Sequence, residues 1–281
     1  MAVTERGVAD LGDLLSLRKL APDAMRALIA AWDELAPSVQ DEVDRQVRDR
    51  LTTPLVASDL LLPVDCPARV IGIGRNYARH AEESGHAPPT LVPELFLRLS
   101  SSLTAPYGDI VLPQASEQLD LEVELAVVIG QGGRALPKEE GLLGVFGYSV
   151  ANDTSVRDFQ HRTSQWTPGK NFDQTAPVGP WIVTKDEIKD PQALRLRSWI
   201  GDEPMQDASS ADMIFSVAEL VSAVSQFTTL EPGDLILTGT PAGTGGWRTP
   251  PRWLLAGEVV TASVSGIGQL SNKVVAEKKQ V

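Results

Sequence analysis

The chain has 281 residues, 42 % apolar and 22 % charged, the texture of a globular protein with one large core or two domains. Its net charge of −12 excludes a broad nucleic-acid footprint and a charge-driven anchor on anionic membranes. The single cysteine, Cys66, excludes an intrachain disulfide and a cysteine metal cluster, and fits a reducing cytosol.

The start, "MAVTERGVADLGDLLSLRKL", has no basic segment followed by a long apolar run, so no secretory leader is read there. No apolar run reaches the ~20 residues of a membrane helix, and a cytoplasmic location is expected. Between Pro22 and Arg50, Met25, Leu28, Ile29 and Trp32 recur at helical spacing, and Pro22–Asp23 suits a first turn. Pro37 is expected to divide this stretch into two helices. Residues 1–65 therefore read as a partly helical extension and residues 66–281 as the main domain.

From Arg69 the texture is β. "ARVIGIG", "LEVELAVVIG", "VFGYSVAND" and "DLILTGTP" are strand candidates, "EPGD" at 231–234 is a turn, and "EVVTASVSGIGQLSNKVV" reads as a hairpin. "SVAELVSAVSQF" at 216–227 is the clearest helix, with Ser216 as N-cap and Glu219 closing a capping box. The main domain is α+β and mostly β, not an alternating doubly wound sheet.

Three motifs mislead. "GIGRNY" has Tyr77 where a dinucleotide fingerprint needs its third glycine. "PGKN" at 168–171 lacks the earlier glycine and the following hydroxyl of a phosphate-binding P-loop. "GYSVA" at 147–151 places Ser149 inside an apolar strand pattern, so it reads as a core serine rather than a nucleophile.

In "DLEVELAVVIG" at 120–130, strand periodicity puts Asp120, Glu122 and Glu124 on one face. Spacing alone leaves two readings: a solvated outer face, or carboxylates gathered round a hard divalent cation. "ANDTSVRDFQ" at 151–160 looks like a helix entry with Thr154 or Ser155 as cap, and Asp153, Arg157 and Gln160 on one helical face. Asp153 is there either a turn acid paired with Arg157 or a third ligand, with Arg157 and Gln160 free for a substrate. In "RNYARHAEE", His80 and Glu83 lie three apart on a helical turn. They form either a surface pair or an imidazole oriented by a carboxylate for general-base work.

"GIGRNYARHAEE", "PELFLRLSSSL", "DLEVELAVVIG", "GYSVANDTSVRDFQ", "GKNFDQTAPVGPWIV" and "LILTGTPAGTG" follow one another as in the fumarylacetoacetate hydrolase family, which the chain resembles over about residues 69–275. The resemblance implies rolled, mixed β-sheets, a homodimer, and bound Mg²⁺ or Mn²⁺. By motif it implies Glu122, Glu124 and Asp153 as metal ligands and His80 with Glu83 as the water-activating pair. It also implies Arg157, Gln160, Lys170 and Thr240 as contacts for the substrate or its oxyanion, Lys170 counting with the catalytic groups. Asp120 matches an acid that is not usually a ligand. Where the family often has lysine, this chain has Arg98, which keeps the charge and changes the geometry.

The implied activity is hydrolysis of a C–C bond in a 2,4-dioxo acid of the acylpyruvate or fumarylpyruvate type, through an enolate held on the metal. The same metal site would serve decarboxylation of oxaloacetate-like substrates or keto–enol isomerisation of 2-oxo acids. A structural Ca²⁺ site in a non-catalytic protein is a third reading. The segments "SGHAPPTLV" at 84–92 and "GGWRTPPRWLLAG" at 245–257 are expected to act as a lid and a wall of the site.

Overall fold

The structure is a computed structural model and describes residues 1–11, 24–65 and 67–278. Cys66 and the helix start expected at Pro22–Asp23 lie outside the described residues. The chain opens with a hairpin of β1 (Ala2–Thr4) and β2 (Gly7–Ala9), whose Val8 exchanges backbone hydrogen bonds with Thr53. Helices α1 (Ala24–Ala30) and α2 (Trp32–Arg48) follow. The break between them falls at Ala31, and Pro37 sits inside α2, contrary to the sequence expectation. Proline φ is already helical, and the carbonyl left without Pro37's bond belongs to Asp33 in the first turn, where few bonds constrain the backbone.

Two mixed sheets make up the body. The larger runs in the spatial order β4 (Glu94–Arg98), β3 (Val70–Gly74), β14 (Leu235–Leu237), β8 (Val123–Ile129), β9 (Val145–Asn152), β11 (Ala176–Thr184) and β5 (Leu103–Thr104). The smaller runs β13 (Glu203–Ser209), β12 (Arg195–Ile200), β15 (Val259–Val264), β16 (Gly268–Ala276) and β6 (Ile110–Leu112). The pairs β3–β14, β5–β11 and β6–β16 are parallel and the other pairs antiparallel. This is the α+β, mostly β architecture of curled mixed sheets that the sequence leads one to expect.

Strand β8 is buried on both faces. Val123, Leu125, Val127 and Ile129 pack with Leu196, Val264 and Leu270 of the smaller sheet and with Leu220, Val221 and Val224 of α6 (Val217–Phe227). The capping box of Ser216 and Glu219 starts α6 as expected. Ala126 and Val128 face the opposite way, into a cluster with Val70, Phe146, Leu235 and Leu237. The N-terminal helices cover that cluster: Ile29 is buried in it, Trp32 meets Phe146 edge to face at 5.3 Å, and Arg26 Nε donates to Pro232 O at 3.1 Å. Burial on both sides explains the unbroken apolar run after Glu124. Glu124 shares the Ala126–Val128 face by strand alternation.

Residues 120–130 are not one continuous strand. β7 (Leu119–Asp120) pairs with β10 (Ser155–Val156), and the ladder lapses at Leu121–Glu122 before β8 begins. Side-chain oxygens claim three successive backbone donors: Leu121 N–H goes to Asp120 Oδ1 (2.9 Å), Glu122 N–H to Asn152 Oδ1 (2.8 Å) and Val123 N–H to Gln206 Oε1 (3.0 Å). Strand β4 is a sheet edge, and Asn171 covers part of it by donating to Leu97 O (3.0 Å) and accepting from Leu99 N–H (2.6 Å). No described helix is long and apolar enough to cross a membrane.

Candidate active site

One carboxylate oxygen from each of Glu122, Glu124 and Asp153 lies within 4.8 Å of the others, and all three side chains are buried. The solvated reading of the acid row is thereby excluded for Glu122 and Glu124. Asp153 lies between β9 and β10, and its N–H donates to Glu122 O at 2.8 Å. It does not share a helical face with Arg157 and Gln160, because α4 spans only Arg157–Gln160 and its N-cap is Val156, with no side-chain cap. The expected caps are used elsewhere. Thr154 Oγ1 donates to Thr175 O, and Ser155 Oγ donates to Glu122 Oε2 (3.2 Å) and Asp153 O (3.1 Å).

Cations surround the acids. Lys170, at the end of α5 (Thr167–Lys170), reaches Glu122 and Asp153 with its ammonium. Arg98 grips Asp153 and the Thr154 carbonyl and donates to Ser102 Oγ at 3.1 Å, so the lysine-to-arginine departure lands on a carboxylate of the triad. Arg157 pairs with Asp120 Oδ2 (2.7 Å) and Glu122 Oε1 (2.6 Å), not with Asp153. Asp120 also accepts from Gly245 N–H (2.7 Å) and Gly246 N–H (2.9 Å), so it anchors a loop and an arginine and is not part of the triad. Arg98 is itself buried, so Arg98→Met leaves Asp153 to Lys170 and the Thr154 carbonyl without its guanidinium donor, and is expected to destabilise the fold by about 3 kcal/mol, read by denaturant unfolding.

Burial alone would raise the pKa of Glu122, but Arg157 and then Lys170 hold it far below the carboxylate range. Glu124 goes the other way. Burial raises it well above its ordinary value, and the neighbouring Asp153 adds to the rise. Among the described residues its hydrogen-bond donor is Gly239 N–H at 2.7 Å. A hard divalent cation fits this donor set: the oxygens are converging carboxylates, and a dication removes the crowding that pushes Glu124 toward protonation. Four buried carboxylates (Asp120, Glu122, Glu124, Asp153) face three cations (Arg98, Arg157, Lys170), so this cluster carries one negative charge in excess, which a dication would more than offset.

His80 and Glu83 lie on α3 (Ala78–Glu83), with His80 Nδ1 2.8 Å from Glu83 Oε1. Gly243 N–H donates to Glu83 Oε2 at 3.0 Å and steadies the carboxylate from behind. Accepting from Nδ1–H leaves Nε2 with its lone pair, the form a general base needs. A cavity of about 900 Å³ is lined by His80, Glu122, Glu124, Arg157, Gln160, Lys170 and Thr240. Asp153 and Glu83 stand just behind that wall, each bonded to a lining residue.

Both segments expected at the rim reach the cavity. Ser84 and His86 come from the first and Trp247 from the second, whereas Arg248 and Arg252 of the second turn away to Glu203 at 3.1 and 3.0 Å. Two further residues of the wall were given no role from sequence: Arg75, paired with Glu94, and Trp166, outside every motif, whose ring packs on Gly74 so closely that a Cβ there would lie 2.1 Å from it. Ser149 donates to Gly179 O (3.0 Å) and Trp181 O (2.8 Å) and is the core serine expected.

His161, also in the cavity wall, has its pKa lowered by burial and then by Arg157 and His86. The unfolded chain therefore binds this proton more tightly than the folded one, and stability falls as pH drops below about 6.5. His161→Gln is expected to flatten that limb in a series of melting curves between pH 7 and 5.

Curled mixed sheets with a buried carboxylate triad beside a cavity fit a class of metal-assisted enzymes. Residues 69–275 match the family described as fumarylacetoacetate (FAA) hydrolase, C-terminal, and the chain belongs to that family. It is 42 % identical over 217 residues to the oxaloacetate tautomerase FAHD2A, mitochondrial, of Homo sapiens, covering 76 % of this chain and 69 % of that protein. The maleylpyruvate hydrolase of Sphingobium sp. SYK-6, solved in complex with manganese (II) ion and pyruvate, superposes with a TM-score of 0.81 at 28 % identity over 99 % of this chain and 96 % of that one. The 2-hydroxyhepta-2,4-diene-1,7-dioate isomerase of Mycobacterium marinum gives 0.68 at 36 % identity over 78 % of each chain.

Proposed function

We propose that this chain is a Mg²⁺- or Mn²⁺-dependent hydrolase that cleaves a C–C bond in 2,4-dioxo acids of the acylpyruvate or fumarylpyruvate type. The observation that carries this reading is the pairing of Glu83 with His80, which lines the same cavity as Glu122 and Glu124 of the carboxylate triad. Glu122, Glu124 and Asp153 would hold the cation. When bound, it supplies Lewis-acid charge for the 2-oxo acid end of the substrate. His80, oriented by Glu83, takes the proton of the attacking water. Arg157, Gln160 and Lys170 offer N–H groups to the developing oxyanion, and Thr240 stands beside them. The cavity exceeds what a four-carbon acid fills, which leaves room for an acyl tail against Trp166 and Trp247. A homodimer in a reducing, cytoplasmic setting belongs to the same proposal, by family likeness and the single cysteine.

The second reading, keto–enol isomerisation of oxaloacetate, is favoured by the 42 % identity to a tautomerase. It uses the triad and needs no attacking water. One assay separates the two: metal-stripped protein is reloaded with Mg²⁺, Mn²⁺ or Ca²⁺ and given a panel of 2,4-dioxo acids and oxaloacetate. Acylpyruvate cleavage restored by Mg²⁺ or Mn²⁺ is the expected result. Oxaloacetate tautomerisation alone would favour the isomerase, and no turnover with any metal, together with Ca²⁺-dependent melting, would leave a structural cation site.

A further inference from the structure

Gln206, on β13 of the smaller sheet, is buried, and its amide makes four hydrogen bonds, one of them across to β8 of the larger sheet. Oε1 accepts from Val123 N–H (3.0 Å) and from Ser198 Oγ (2.8 Å). Nε2 donates to Pro241 O (2.7 Å) and to Thr240 Oγ1 (2.7 Å). The backbone settles which end of the amide is which: Val123 N–H can only donate and the Pro241 carbonyl can only accept. Thr240 Oγ1 must therefore accept from Gln206.

That leaves the Thr240 hydroxyl one proton and one further lone pair. The proton has a partner at 3.0 Å in Val123 O, which can only accept. Gln206 and Thr240 thus close a ring on Val123, the residue between Glu122 and Glu124, taking its N–H and its C=O. What Thr240 still offers to the cavity it lines is a lone pair. Gln160 is polarised the opposite way, because its Oε1 already accepts from Arg157 (2.9 Å) and its Nε2 is left to donate.

We propose that Gln206 is a positioning residue that fixes Thr240 as a hydrogen-bond acceptor toward the substrate's enol hydroxyl, at the carboxylate end of the cavity. The enol part rests on the 2-oxo acid reading above; the polarity of Thr240 does not. Thr240 then recognises a proton-bearing oxygen, and Arg157, Gln160 and Lys170, lining the same cavity, an anionic one. A ligand that presents only acceptors at both ends is matched at one end alone.

Two measurements test this. In a neutron structure of the deuterium-exchanged wild-type protein, the Thr240 deuteron should lie toward Val123 O; a deuteron directed into the cavity would overturn the polarity. A double-mutant cycle then tests its consequence on whichever 2-oxo acid the wild type turns over. Gln206→Met and Thr240→Val should each lower kcat by about tenfold, the double variant should be no slower than Thr240→Val, and Mn²⁺ affinity should stay unchanged. Losses that multiply, or Mn²⁺ affinity that falls in step with kcat, would make Gln206 a mere brace for Val123 and sink the proposal. Should Gln206→Met fail to fold, Gln206→Glu takes its place in the cycle, since it keeps the acceptor for Val123 N–H and Ser198 and loses the amide donors. A wild type without turnover on any 2-oxo acid would defeat the functional reading and the enol assignment with it, while the neutron map still decides how Thr240 is polarised.

Discussion

Glu124→Gln is expected to lower Mn²⁺ affinity at least about a hundredfold and turnover roughly a thousandfold, while raising the melting temperature of the metal-stripped protein. The two effects have one origin. Glu124 is buried beside Asp153 and Glu122, and among the described residues no cation forms an ion pair with it; Lys170 pairs with the other two and offsets the rise only in part. Without a dication its charge is a strain on the fold; with one, it is a ligand. Glutamine keeps the size of the side chain and an oxygen for Gly239 N–H, so the packing stays and only the charge goes. Relief of each kcal/mol should add about 2–4 °C to the melting temperature of a chain this long. The pH dependence follows in sign. The folded-state pKa of Glu124 lies above the unfolded value, so the folded state holds the proton longer and stability of the metal-free protein declines as pH rises above that unfolded value. Glu124→Gln should flatten that decline. Thermal scans with chelator and with Mn²⁺, together with titration calorimetry, check all three signs. Mn²⁺ binding as tight as wild type would remove Glu124 from the ligand set.

How much of this was legible depended on whether the signal was local. The E-x-E spacing put Glu122 and Glu124 on one face, and α3 brought His80 to Glu83, because alternation and one helical turn are short-range geometry. Asp153 was legible as a ligand only through the family resemblance. Helical spacing set it beside Arg157 and Gln160, whereas the helix starts only at Arg157 and Arg157 belongs to Asp120 and Glu122. Asp120 is the opposite case. It shares the pattern, and what separates it is a contact 125 residues away, with Gly245 N–H. Gln206 carries no motif at all. A lone glutamine in a strand looks like surface until the two sheets close and hand it Val123, Thr240 and Pro241. Pro37 misled for a simpler reason, since a proline this near a helix start forfeits little.

His80→Ala carries the test of the hydrolytic reading. His80 is not among the triad, so Mn²⁺ affinity should be unchanged, while cleavage of acylpyruvates should fall by about 10²–10⁴-fold with loss of the base. His80→Gln controls for the side-chain volume that alanine removes from the cavity wall, and it should be as inactive as His80→Ala if the imidazole acts as a base. Glu83→Gln should lose less, because Gly243 N–H still has an oxygen to hold and only the grip on Nδ1–H weakens. Keto–enol exchange of oxaloacetate needs no attacking water, so it should survive in all three variants wherever the wild type shows it. The ratio of cleavage to exchange is therefore the decisive readout. A collapse of that ratio in His80→Ala assigns the dyad to water activation. An equal fall of both activities makes His80 a proton shuttle common to the two reactions, and undiminished cleavage takes the dyad out of the mechanism.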